Sequence, residues 1–234
     1  MISRYFLRSS RFDSLRACTI FDERMIPMKK IPMLLKTSRQ PHYQVHWDIN
    51  QHLQLTDDMI QTAVPTIKWD GTCVKYDRGQ WFTRRTVKPG QKTPPNFTLE
   101  EYDPHTGKSF GWIPALESDY RHYFQNKDVL DSALIYTPFN DGDTFELIGP
   151  NIMTRYQDLT KPLLKLHGSG VYPLPYTLAD IIQAIETKDI NFLDALNHHF
   201  VQDNLEGLVY WYQHQPLFKL RSQDLVKLIK GGSY

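Results

Sequence analysis

Lys68-Trp69-Asp70-Gly71 sets a primary amine two residues before an Asp-Gly turn. That arrangement can present the amine as a nucleophile to the α-phosphate of a nucleotide. Such chemistry needs cations to hold phosphate oxygens and a carboxylate to hold a metal ion. The short pattern alone arises by chance in roughly one chain of this length in twenty, so the downstream residues decide. Arg84, Glu146, Glu206, Lys219 and Arg221 follow it in the chain.

Lys219 and Arg221 fall in one predicted element, and Glu206 stands just before it. Residues 208–212 and 217–221 flank Gln213-His214-Gln215-Pro216 and read as a β-hairpin. With Tyr212 opposite Leu217, Tyr210 faces Lys219 and Leu208 faces Arg221, so Glu206, Lys219 and Arg221 share one sheet face. Unpaired charge on a half-buried face is unfavourable. A solvent-facing salt-bridge cluster or a binding site accounts for that load.

The elements that must position these residues are mostly short strands. From Ile31 onward, apolar runs rich in Tyr, Trp, Phe and Val alternate with turn residues. Residues 72–76 and 81–85 around Asp77-Arg78-Gly79-Gln80 predict a hairpin, and 145–148 and 163–166 predict further strands. The segment 89–114 is dense in Pro, Gly and Asp and reads as a long surface loop. The spacing of Leu178, Ile181, Ile182 and Ile185 predicts a helix over 178–186, and a second helix is expected over 191–200. The fold class expected is α+β, with mainly antiparallel sheets around a nucleotide cleft and helices outside.

Composition sets outer bounds. A chain of 234 residues with 41% hydrophobic and 23% charged residues is long enough for one domain with a full core. No apolar run approaches a membrane span, so no transmembrane helix is expected. Cys18 and Cys73 are too few for a disulfide framework and supply too few thiolates for a structural zinc site, which suits a reducing, intracellular compartment such as the cytoplasm. Residues 1–27 carry Arg4, Arg8, Arg11 and Arg16 among apolar residues; they read either as an extension before Met28 or as a mitochondrial targeting peptide. Net charge is only +1, yet from Lys75 to Lys92 six basic residues stand against Asp77 alone. That run reads as a solvated face or as a track for a phosphate backbone.

Taken in order, Lys68-Trp69-Asp70-Gly71, Arg84, Glu146, Glu206-Gly207 and Lys219-x-Arg221 resemble the nucleotidyltransferase motifs of ATP-dependent RNA ligases. The resemblance is closest to the stand-alone family that joins RNA 5′-phosphate and 3′-hydroxyl ends. Pro65 to Cys73, Gly107-Lys108 before Gly111-Trp112-Ile113-Pro114, Glu146-Leu147-Ile148-Gly149, His167-Gly168 and Leu205 to Tyr210 are similar to that family as well, so the likeness runs from about Met28 to about Leu225. It implies a nucleotidyltransferase domain over 28–234. It also implies ATP and Mg²⁺ or Mn²⁺ as cofactors, and RNA with 5′-phosphate and 3′-hydroxyl ends as partner.

By the same resemblance, Lys68 is the adenylated residue, Glu206 the motif IV carboxylate near the metal, and Lys219 the first motif V cation. Arg84 is implied to help hold the nucleotide and the incoming 5′-phosphate, and Glu146 to contact ribose or metal. The second motif V cation is Arg221 where many relatives have lysine, which changes the geometry of phosphate contact. His167 stands near the place of the adenine-stacking residue, and a core or loop histidine is the alternative. With 13 residues after Arg221, no C-terminal OB-fold is expected, and the chain is expected to act as a monomer. The alternatives are a non-catalytic RNA-binding module, a DNA ligase or a capping guanylyltransferase. Gly107-Lys108-Ser109 lacks the earlier glycine of a P-loop, since Tyr102 stands there, and His42 and His46 lack the glutamate of a zincin.

Overall fold

Short alternating runs become strands because each must bury one face. In the computed structural model, which describes residues 30–38, 42–153 and 155–231, segment 1–27 lies outside the described residues. The elements are β1 (Leu35–Ser38), β2 (Gln44–Ile49), α1 (Asp57–Thr62), β3 (Val64–Ile67), β4 (Thr72–Asp77), β5 (Gln80–Val87), β6 (Thr98–Asp103) and β7 (Lys108–Pro114). They continue with α2 (Arg121–Phe124), α3 (Lys127–Asp131), β8 (Thr144–Ile148), β9 (Leu163–Leu166), α4 (Leu178–Thr187) and α5 (Ile190–Gln202). The chain then forms β10 (Gly207–Tyr212), β11 (Gln215–Arg221) and α6 (Ser222–Gly231).

The architecture is mixed α/β, and every strand ladder among the described residues is antiparallel. A six-stranded sheet runs β6-β7-β5-β4-β8-β9, and a three-stranded sheet runs β11-β10-β3. Each sheet covers its own core. Leu208, Tyr210, Phe218 and Leu220 pack with Ile181, Leu193 and other residues of α4, α5 and α6. Val74, Phe145, Leu147 and Leu164 pack with Phe124 and Val129 of α2 and α3. Complete burial of such a side chain contributes roughly 1.5–3 kcal/mol, so these faces fix the register, and with it the side chains of the opposite faces.

The predicted strands and the two predicted helices are present. At the start of α4 Thr177 forms a reciprocal capping box with Asp180, a device that contributes about 1 kcal/mol. The segment expected to be a long loop is instead largely the β6–β7 hairpin. Its Asp and Gly are turn chemistry: Asp103 accepts from the backbone of His105 and Thr106, and Gly107 turns the chain at φ 64°. Gly111 must be glycine, because a Cβ there would stand 2.1 Å from the carbonyl oxygen of Thr98. Lys108 opens a strand rather than a helix, which removes the P-loop reading.

The β10–β11 hairpin departs from its expected register. A two-residue turn with Gln213 and His214 both at positive φ joins the strands, and a bulge lies between Tyr210 and Trp211. Tyr210 therefore faces Phe218, Leu208 faces Leu220, Val209 faces Lys219 and Gly207 faces Arg221. The bulge lets four large apolar side chains reach the core together, which the expected pairing would have prevented.

Candidate active site

Strand alternation carries Lys68 to the charged face of the three-stranded sheet. Ile67 pairs with Leu208 on the core side and Thr66 with Val209 on the other. Lys68, one residue past β3, continues the ladder by donating its backbone N–H to the Gly207 carbonyl at 3.0 Å. Thr66, Lys68, Val209, Lys219 and Arg221 consequently share one face. Gly207 between them leaves space; a Cβ would lie 2.1 Å from the Leu220 carbonyl oxygen, and φ is +156°. Glu206 joins from the residue before β10, held by the Ser222 N–H donating to its carbonyl at 2.9 Å.

The side chains of Lys68 and Glu206, 138 residues apart, form an ion pair with 21% and 20% of their surface exposed. Lys219 lies beside them. Burial foremost, then the charges of Lys68, Arg221 and Lys30, push its amine down to about 8 from 10.5, and only Glu206 opposes them. Lys68, Lys219 and Arg221 thus share a face through a register different from the one expected, and Glu206 joins them through its ion pair with Lys68.

Arg221 has its own carboxylate. Its Nε and Nη2 donate to Asp224 at 2.7 and 2.9 Å, and Nη2 also donates to the Tyr43 hydroxyl at 2.9 Å. Tyr43 in turn donates to Asp224 Oδ1, and Asp224 is fully buried. Burial opposes the guanidinium charge, and the bonds to Asp224 outweigh it, raising its pKa. Sequence reading missed this partner; the only signal was the spacing of three residues across a strand end.

The Lys68-Trp69-Asp70-Gly71 turn is tethered at each of its residues. Arg155 Nε lies 3.6 Å from Asp70 Oδ2, and Gly71 N–H donates to Glu146 Oε1 at 3.0 Å. The Trp69 ring tilts against Tyr156 at 5.8 Å, with the Lys165 ammonium 5.3 Å from its centroid. Burial pushes the Tyr156 hydroxyl up to about 12. Arg155 and Tyr156 sit between β8 and β9 with no sequence signal to mark them. Trp69 Nε1 and Arg155 Nε are buried donors with no hydrogen-bond partner among the described residues, Arg155 Nε being ion-paired with Asp70.

Glu146 belongs to the charged face of the six-stranded sheet, opposite Cys73 on β4 and Lys165 on β9. Its Oε2 lies 3.0 Å from His167 Nε2, and His167 Nδ1 shares a hydrogen bond with Thr144 Oγ1 at 2.9 Å. Arg84, on the same face, lies 3.8 Å from Glu101 and 5.6 Å from the centroid of Phe110. It lines a cavity of about 360 Å³ with Lys30, Lys108, Glu101 and Asp103. Lys30, which lines this cavity, adds its charge to those acting on Asp103 and on Lys219.

The basic run 75–92 is not one track. Lys75 and Arg84 lie on the charged face, whereas Arg85 alternates to the other and meets Asp119 at 3.3 Å. Lys75 is paired with Asp77 at 3.9 Å and packed over Phe82 and Trp112. His46, on β2 rather than a helix, shares a hydrogen bond with Ser38.

No protein-family model and no curated protein matches this chain. A second cavity of about 590 Å³ is lined by Asp70, Arg155, Glu206, Ser222, Gln223 and Lys227. Asp70 and Glu206 offer it carboxylate oxygens, a donor set that fits Mg²⁺ or Mn²⁺, which take oxygen ligands and keep several waters. Among the described residues, no helix is long and apolar enough to cross a membrane.

Proposed function

We propose that this chain is an ATP-dependent RNA ligase of nucleotidyltransferase fold, which joins 5′-phosphate and 3′-hydroxyl RNA ends through an adenylated Lys68. The observation that carries the proposal is the meeting of Lys68 with Glu206 beside Lys219, an amine whose charge the apo protein destabilises. Cations crowded at one place raise each other's energy, and a polyphosphate relieves that repulsion on binding. The order of these residues in the chain adds the motif resemblance.

In the first step the ammonium proton of Lys68 passes to its ion-pair partner Glu206, and the neutral nitrogen attacks the α-phosphorus of ATP. A P–N bond forms, the bond to pyrophosphate breaks and pyrophosphate departs. Glu206 accepts the hydrogen bond of the Lys68 amine and orients it, while Lys219 faces the charge that gathers on the phosphate oxygens. Arg155 and Glu146 hold the turn from either side through Asp70 and Gly71. A divalent ion at Glu206 and Asp70 would supply charge neutralisation of the phosphates. AMP then passes from Lys68 to an RNA 5′-phosphate, and a 3′-hydroxyl displaces AMP to close the phosphodiester. Arg221 contributes charge, with its fork fixed on Asp224.

Incubation with α-labelled ATP and Mg²⁺ tests the first step. Label retained on denatured wild-type protein and absent from Lys68→Ala is the expected result, and unlabelled wild type across pH and metals would leave a non-catalytic binding module. GTP in place of ATP tests the guanylyltransferase alternative. Joining of a 5′-phosphorylated RNA in preference to DNA of the same sequence separates RNA from DNA ligation.

A further inference from the structure

Cys73, Glu146 and His167 are brought together by register. Cys73 and Glu146 are direct cross-strand partners of β4 and β8. His167, just past β9, donates its backbone N–H to the Thr144 carbonyl at 3.0 Å and so sits diagonally to Glu146 on the same face. One sulfur, one imidazole nitrogen and one carboxylate oxygen from these residues all lie within 4.8 Å of one another. From these positions we infer that Cys73, Glu146 and His167 form a binding site for a borderline-soft divalent cation of the Zn²⁺ class.

The donor types select the ion. Thiolate and imidazole favour Zn²⁺ over the hard Mg²⁺, which suits the oxygen pair Asp70 and Glu206 instead. Tetrahedral zinc with ordinary bond lengths sets its ligand atoms about 3.4–3.6 Å apart. Side-chain movement on the order of 1 Å therefore closes the set around an ion. Three protein ligands leave a fourth position open to water.

Outer contacts support the same reading. Thr144 Oγ1 engages His167 Nδ1 at 2.9 Å, which turns Nε2 towards Glu146. The Gly71 N–H engages Glu146 Oε1 at 3.0 Å and leaves Oε2 facing His167. Metal-binding histidines and carboxylates are commonly oriented in this way by a partner on the remote atom. Because Glu146 also anchors Gly71, an ion here links strands β4, β8 and β9 to the turn that carries Lys68.

The inference stands apart from the ligase reading and is tested without measuring activity. Full-length protein is freed of metal with a chelator and titrated with Co²⁺, whose thiolate charge-transfer and ligand-field absorption report the donor set. The expected result is a near-ultraviolet thiolate-to-cobalt band that saturates at one equivalent and is displaced by Zn²⁺. Cys73→Ser abolishes the band, and Cys18→Ser leaves it in place. His167→Ala weakens cobalt binding at least tenfold, and Thr144→Val weakens it about tenfold. Circular dichroism of the metal-free variants checks folding, and His167→Ala, at a side chain 18% exposed, keeps the test open should Cys73→Ser fail to fold. A wild-type protein without the band, or a band that persists in Cys73→Ser, overturns the site. Lys68→Ala retains the band, so cobalt binding without nucleotide labelling refutes only the ligase reading, and labelling without cobalt binding refutes only the metal site.

Discussion

Replacing Lys219 by methionine should make the protein more stable at neutral pH and, on the proposed function, abolish nucleotide uptake. The amine titrates at about 8 in the folded chain and at 10.5 when unperturbed, with burial the largest cause and the neighbouring cations next. That gap corresponds to on the order of 3 kcal/mol of unfavourable charging in the native state. Solvent screening of a half-buried amine reduces the expected gain of Lys219→Met to about 1–3 kcal/mol at pH 7. For a chain of this size the gain is a rise in Tm of about 2–10 °C. The sign follows from proton binding: between the folded and unfolded values the unfolded chain holds the extra proton, so wild-type stability from this group rises from pH 8 to about 10.5. Lys219→Met lacks that rise, and its advantage shrinks over the same window. Urea unfolding of both proteins at pH 7 and near pH 10 measures the effect. A variant less stable than wild type at pH 7, or an advantage independent of pH, would refute the electrostatic account of the site.

Asp224→Ala strands the Arg221 guanidinium and should destabilise the fold by about 3–5 kcal/mol, read as a lower urea midpoint at unchanged m. Gly207→Ala forces a Cβ to within 2.1 Å of the Leu220 carbonyl oxygen, and the expected loss is about 3 kcal/mol with disordered β10 amides in hydrogen exchange. Arg155→Ala releases Asp70 from the turn and should slow adenylation about 10- to 100-fold with little change in Tm, since misplacement rather than folding is the consequence. Glu146→Ala removes the acceptor for Gly71 N–H and should lower stability by about 1–3 kcal/mol in thermal unfolding.

Much of this arrangement is legible in the sequence, and the exceptions have physical causes. Period-two alternation marked β4, β5, β8, β9, β10 and β11, because each buries one face against a core. The β6–β7 hairpin was hidden because Asp103, Gly107 and Gly111, which build its turn and its close strand contact, are the same residue types that mark loops. The β10–β11 register was missed because Leu217 bulges out of β11 opposite the step from Tyr210 to Trp211, and no residue type there announces it. Lys68, Glu206 and Lys219 could be grouped because nucleotidyl transfer would need all three types, and the structure sets them side by side. Arg221 was grouped with them by charge, yet its fork is held by Asp224 and Tyr43, partners that only the start of α6 and the placement of β1 and β2 bring near. Arg155 was illegible because its role depends on the loop between β8 and β9 returning over Asp70. The split of the basic run between two sheet faces follows from alternation within β5, where Arg84 and Arg85 necessarily point apart.

The account depends most on Lys68 forming a covalent bond to AMP. Intact-protein mass spectrometry after incubation with ATP and Mg²⁺, followed by peptide mapping, measures that bond directly. The prediction is a mass increase of one AMP located on Lys68, absent from Lys68→Ala and removed by added pyrophosphate. An unchanged wild-type mass under conditions where the protein is folded, or AMP found on another residue, would contradict it.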